Sequence, residues 1–245
     1  MIKIRNIEKA YGNKQILKDI NLDFEIGKIY GVIGPNGAGK TTLIDILSNN
    51  LEADKGHVLI KDKNNKDYSL LELAREIAYM PQNTTTKFAF TAYELVSMGN
   101  YSRSKFEGKK DEEKIHHYMK LNQLEDSYNK KVTEMSGGEL QRVMFTKVLC
   151  QDSKILIIDE GTSNADIYYR VKFFETLQNE AKNGKTIIVV IHDLSFARKY
   201  CDELVILKDS IVYDFGKSSE VLNRETLRDV FKIKGDFYKN SLILE

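Results

Sequence analysis

The stretch Gly34-Pro35-Asn36-Gly37-Ala38-Gly39-Lys40-Thr41 sets glycines, a lysine and a hydroxyl at the spacing G-x-x-x-x-G-K-[ST], the pattern of a loop that cradles phosphate. Glycines let the backbone curl so that its N–H groups point inward at phosphate oxygens, and a helix starting after the loop adds the positive end of its dipole. Lys40 then reaches the β and γ phosphates of a nucleotide as a point charge. The Thr41 hydroxyl holds a Mg²⁺ that bridges them, and Thr42 sits beside it among the nucleotide-binding positions. An ordinary glycine-rich turn is the plain alternative, and the strand before the loop and the helical pattern after it argue against that.

A second piece, ILIIDE, ends an apolar run in two carboxylates. Asp159 can complete a Mg²⁺ shell, often through water, while Glu160 points another way and can polarise a water for attack on the γ phosphate. Alone, ILIIDE also reads as an acidic strand end in solvent; beside the phosphate loop it acquires a task. A third piece, MSGGELQR at 135 to 142, opens a helix with Ser136, Gly137 and Gly138. A hydroxyl and glycine-exposed N–H groups at a helix N-terminus make a second anion site. The same tetrapeptide also fits a plain helix cap with Glu139 in the first turn.

These pieces need elements to hold them. Ile2 and Ile4, then Ile20, Leu22, Phe24 and Ile26, alternate as half-buried antiparallel strands do, so a β subdomain opens the chain. KIYGVI is a strand that runs into the phosphate loop, and Leu43, Ile44, Ile46, Leu47 and Leu51 recur at helical spacing after it. KILIID at 154 to 159 and KTIIVVI at 185 to 191 read as strands buried on both faces. Between these two strands IYYRVKFFETLQNEAKNG reads as a helix stopped by Asn183 and Gly184. The expected fold is α/β: a mostly parallel sheet with flanking helices at 1–90 and 151–217, together with the N-terminal antiparallel β subdomain. An inserted helical subdomain occupies 91–150. After the short strands ELVIL and SIVYDFG, a tail at 218–245 carries two short helical patterns.

The bulk composition limits the classes. The 245 residues suit one domain with an insertion, and 42% hydrophobic with 30% charged residues is globular. The formal charge of +1 gives no bulk reason to bind nucleic acid or an anionic membrane. Cys150 and Cys201 stand apart without ligand spacing, as in a reduced cytosolic protein. MIKIRNIEK lacks the apolar core of a secretion signal, so an intracellular location is expected. No apolar run approaches the roughly 20 residues of a membrane helix. Any membrane part of the machine is therefore another chain.

With MSGGELQR the sequence resembles the signature motif of the ABC ATPases, and the other landmarks of that family follow in order along nearly the whole chain. The resemblance implies a P-loop NTPase core that binds ATP and Mg²⁺. It also implies a head-to-tail homodimer in which Ser136, Gly137, Gly138 and Glu139 of each copy cover the ATP held by the other. Tyr11 matches the aromatic residue that stacks on adenine, though an ordinary strand tyrosine would look the same. Gln82, in YMPQ, matches the glutamine that contacts Mg²⁺ and the attacking water. His192, just beyond IIVVI, matches the switch histidine at the γ phosphate; a lone histidine is more often structural, but one at this strand end is where function is expected. After Glu160 the family usually reads proline and later leucine, whereas this chain has Gly161-Thr162-Ser163-Asn164-Ala165-Asp166. Glycine for proline is expected to loosen the backbone beside the catalytic carboxylate, and alanine for leucine to shrink a packing contact. Asp166 stays among the nucleotide-binding positions, and an active ATPase is expected.

FAFTAYELVSMGNYSRS and GKSSEVLNRETLRDVFKI resemble stretches of the ATPases that serve iron-siderophore, haem and vitamin B12 permeases. That implies an importer subunit on the inner face of the cell membrane, with two transmembrane permease subunits and, indirectly, an extracytoplasmic substrate-binding protein as partners. The surface near 83–106 would receive a short permease helix. Zinc and manganese importer ATPases look similar. A soluble ABC ATPase of the iron–sulfur assembly type, and an ATP-gated clamp that scarcely hydrolyses, are the other readings.

Overall fold

The computed structural model describes residues 1–82, 88–102, 108–162 and 165–245. Along the chain the first elements are β1 (Ile2–Tyr11), β2 (Lys14–Phe24), β3 (Ile29–Ile33), α1 (Lys40–Leu47), β4 (Lys55–Ile60) and β5 (Lys63–Asn64). Next come α2 (Leu70–Glu76), β6 (Ile77–Met80), α3 (Ala92–Ser97), α4 (Lys109–Leu121), α5 (Gly137–Gln151), β7 (Ile155–Ile158) and α6 (Ile167–Lys182). The last are β8 (Thr186–Val190), α7 (Leu194–Tyr200), β9 (Glu203–Lys208), β10 (Ile211–Lys217), α8 (Ser218–Val221), α9 (Arg224–Asp229), β11 (Gly235–Tyr238) and β12 (Ser241–Leu244). They pack as two units, Met1–Tyr68 with Leu177–Glu245, and Ser69–Thr176.

In the first unit the alternating N-terminus makes an antiparallel sheet in the order β2-β1-β4-β5. Ile2 pairs with Phe24 and Ile60, and Ile4 with Leu22 and Val58, all of them buried. Burial of one face is what the period of two demands. Ile26 breaks the expectation: β2 stops at Phe24, and Ile26 is exposed. The apolar runs behave as read, because β3 and β8 are buried at every residue and β3 pairs in parallel with both β8 and β9. Strands covered on both faces need apolar residues throughout rather than alternation. β10 closes the edge antiparallel to β9. Cys201 is buried here, and burial pushes its thiol up, so it stays an unreactive core residue. The tail forms the two short helices and, unexpectedly, the antiparallel hairpin β11–β12.

In the second unit β6 and β7 pair in parallel. The stretch read as helical folds into α3, α4 and α5, with one isolated bridge between Thr91 and Lys131. These helices bury Leu95, Val96, Ile115, Met119, Val143 and Cys150 in one cluster. Thr91 with Glu94, and Ser136 with Glu139, close reciprocal caps at the starts of α3 and α5, which satisfies N–H groups the helices leave open. Among the described residues no helix is long and apolar enough to cross a membrane.

Candidate functional site

The first unit holds the phosphate loop between β3 and α1. At Gly34 φ is +150°, and a Cβ would fall 2.3 Å from the Leu207 carbonyl oxygen. At Gly39, directly before α1, φ is +99°, and a Cβ would fall 2.8 Å from Leu17 Cδ2 and 2.9 Å from the Ile16 oxygen. Both positions therefore demand glycine, for conformation and for space. No side chain caps α1, and its first turn carries no acidic residue. Its leading N–H groups, at Lys40, Thr41 and Thr42, lie beyond reach of helical acceptors and favour an anion. Lys40 is buried, and its Nζ donates to the carbonyl oxygens of Gly34 at 2.8 Å and Pro35 at 3.0 Å. The ammonium is thus folded over the loop. Ala38 is buried, its N–H donating to the Pro35 oxygen at 3.2 Å, while Asn36, Gly37 and Thr41 face solvent.

Tyr11 ends β1, is 54% exposed as a residue, and has the Lys9 ammonium 5.9 Å from its ring centroid. It presents exposed aromatic surface at the end of the strand. His192 follows β8 and is exposed, and Asp193 next to it caps α7 by accepting from the Ser195 and Phe196 N–H groups.

The second unit holds the carboxylates. Asp159 follows β7, is 1% exposed, and donates its N–H to the Met80 oxygen at 2.9 Å. Glu160 is half-buried and has a left-handed backbone, φ +56°. A residue with a Cβ pays of order 1–3 kcal/mol for such a conformation, and it persists only where its surroundings impose it. Two contacts flank it. Gln141 of α5, itself buried, donates from Nε2 to the Glu160 carbonyl at 3.0 Å. Gly161 lies so close to α6 that a Cβ on it would stand 2.4 Å from Phe173 Cζ. Beside the backbone that the sequence reading expects to be loosened, an aromatic ring fills the space a side chain would take. Asp166 caps α6, its Oδ1 accepting the Tyr169 N–H at 2.8 Å. Gln82 follows β6 and is exposed. Ser163 and Asn164 lie outside the described residues, as do 83–87 and 103–107 of the expected permease surface.

At the start of α5, Ser136 Oγ accepts the Glu139 N–H at 3.3 Å and Glu139 Oε2 accepts the Ser136 N–H at 2.8 Å. The capping reading of SGGE is real: Ser136 and Glu139 close a reciprocal cap at the start of α5. A Cβ on Gly137 would meet nothing within 4 Å. The other Glu139 oxygen accepts from Lys130 Nζ at 2.7 Å. That bond, followed by those from Ser136, pulls the Glu139 carboxyl down to about 2. Lys130 offsets the negative charge that would otherwise repel phosphate from this helix end.

Sequence reasoning did not single out Gln141, Phe173 or Lys130. Gln141 stood in plain view in MSGGELQR, one and a half turns past Ser136. The surface of this unit also carries two hollows that share Met98 and Tyr101, one lined by Leu70 and Leu71 and the other by Phe90 and Tyr93.

A model of the ABC transporter family matches residues 17–163. The petrobactin import ATP-binding protein YclP of Bacillus subtilis is 33% identical over 238 residues, covering 94% of this chain and 92% of that protein. The hemin import ATP-binding protein HmuV of Thermobifida fusca is 33% identical over 228 residues, covering 93% and 80%. Among solved structures, a dimeric ATP-binding cassette in a post-hydrolysis state bound to ADP and Pi superimposes with a TM-score of 0.80 at 28% identity, covering 89% of this chain and 99% of that one.

Proposed function

The chain belongs to the ABC transporter ATP-binding family, and from that premise we propose that it is the ATP-hydrolysing subunit of an importer, working as a pair of copies closed around two ATP. The observation that carries the reading is the loop from Gly34 to Thr41, folded under a buried lysine at an uncapped helix start. Loop and first-turn N–H groups bind the phosphates, and Tyr11 stacks on the base. Ser136, Gly137 and Gly138 of each copy cap the γ phosphate of the other's ATP, so only the ATP-bound pair satisfies both anion sites. That differential is what lets ATP drive a conformational change.

Thr41, Gln82 and Asp159 would hold a Mg²⁺ that arrives with the nucleotide. These donors are all hard oxygens, and among the described residues no group of three or more His, Cys, Asp or Glu forms a protein cage, which suits an ion that keeps phosphate and water ligands. When bound, that ion neutralises charge developing on the β and γ oxygens. Glu160 accepts the proton of the attacking water as its oxygen bonds to the γ phosphorus. The bond from that phosphorus to the bridging oxygen breaks, and ADP and phosphate leave. His192 holds the γ phosphate during the step.

The named relatives act in petrobactin and hemin import, and a cobalamin import ATP-binding protein of Halobacterium salinarum is 31% identical over 232 residues, so chelated iron or a corrinoid is the proposed cargo class of the whole transporter. Its permease partners would place this subunit on the inner face of the membrane. Turnover of the Glu160→Gln variant tests the enzyme. The expected result is a loss of roughly 10²-fold or more with ATP binding kept. Equal rates would leave only an ATP-gated clamp.

A further inference from the structure

Gln141 is buried in the helix opened by Ser136, yet its amide makes a bond that stabilises neither that helix nor its cap: Nε2 donates to the Glu160 carbonyl at 3.0 Å. Among the described residues its Oε1 is buried without a hydrogen-bond partner. A buried acceptor left unpaired costs stability, and an apolar side chain of similar size would avoid that cost. The amide is placed for something other than packing. Glu160, on the receiving end, has a left-handed backbone that needs an outside hold.

We infer that Gln141 is a positioning residue that ties the phosphate-capping end of α5 to the catalytic carboxylate of the same chain, so that occupancy of one ATP site sets hydrolysis at the other. This rests on the proposed function, in which Ser136 of a chain touches the partner's ATP while Glu160 of that chain serves its own. α5 is one continuous helix from Gly137 to Gln151, so a shift at its first turn carries Gln141 with it. The Glu160 peptide is held between that amide and the Phe173 ring beside Gly161. It therefore follows the helix, and the carboxylate swings with it toward or away from its water. A misplacement of this kind acts on the rate of the chemical step and leaves ground-state binding alone.

The test compares the full-length chain with Gln141→Met, which keeps length and loses the donor, and Gln141→Asn, which keeps the amide but falls short of Glu160. ATP turnover is measured as kcat, KM and Hill coefficient, and ATP-driven pairing is measured with Glu160→Gln as background. The expected result is a drop in kcat of about tenfold, KM within about twofold, and a Hill coefficient falling from above 1 to about 1. Pairing of the Glu160→Gln background should be unchanged by either second substitution. A kcat within about twofold of wild type in both variants, a Hill coefficient that stays at its wild-type value in both, a wild-type Hill coefficient of 1, or joint loss of turnover and pairing as expected of a structural residue, would each overturn it. Unimpaired turnover by Glu160→Gln alone would instead overturn the proposed function.

Discussion

A methyl group on Gly161 would stand 2.4 Å from Cζ of Phe173 and 2.6 Å from Cε2. The ring cannot yield, because Phe173 is fully buried with Phe145 at 4.4 Å and Phe174 at 5.3 Å between centroids. The glycine at the position where the family resemblance implies proline is thus matched to an aromatic ring from α6. Gly161→Ala should cost about 1–3 kcal/mol by overpacking. Trimming the ring in a Gly161→Ala, Phe173→Leu double variant should recover part of that. Urea unfolding of the two singles and the double checks it, and strict additivity would show that the two residues do not share the space.

Lys40 serves both as the positive charge of the loop and as its clasp, through its bonds to the Gly34 and Pro35 carbonyls. Lys40→Ala should weaken ATP binding by about 10²-fold or more, the equivalent of one or two charge-assisted hydrogen bonds. Arginine should not rescue it, since a planar fork cannot occupy the buried position of a compact ammonium. Titration with a fluorescent ATP analogue reads both variants. Binding within about threefold of wild type would remove Lys40 from the site.

Legibility followed the range of the interactions. The loop from Gly34 to Thr41 could be read because its shape is set by contiguous residues, and β3 and β8 because burial on both faces leaves apolar runs. Alternation carried the reading two residues past the end of β2 to Ile26, since period alone has no stop signal. The β11–β12 hairpin escaped because GDFY and SLIL are too short for a clear period. Gln141 and Phe173 escaped for a different reason. Each acts on the turn after β7 from another helix, and nothing in a glutamate's own propensity announces the left-handed backbone at Glu160.

Leu70 is 86% and Tyr101 82% exposed, with Leu71 nearby in the same hollow. Exposed apolar side chains gathered at a depression suit an amphipathic helix of a partner, which under the proposed function is the permease. Cysteine at Leu70 or Tyr101 should be captured by a short thiol cross-linker on a membrane protein in producing cells, and both native cysteines are buried and should stay silent. Leu70→Ser with Tyr101→Ser should leave ATP turnover of the isolated chain within about twofold while reducing uptake by about tenfold or more. Capture of soluble proteins alone would favour the assembly reading.

The Lys130–Glu139 pair sits at the start of α5, the helix proposed to cap the partner copy's ATP, and its pH dependence has a definite sign. Lys130, and then Ser136, lower the Glu139 carboxyl to about 2 from an ordinary 4.5. A carboxyl depressed in the folded state stabilises the fold fully above its ordinary value, and that stabilisation fades as pH falls toward the folded value. Wild type should therefore exceed Glu139→Gln in stability by a constant margin above about pH 5, and the margin should shrink between about pH 4.5 and about pH 2. Both side chains are partly exposed, so screening holds the margin to about 1–2 kcal/mol. Denaturant unfolding of the two proteins across that range measures it. A margin that grows on acidification would mean that Glu139 is not held by Lys130 in solution.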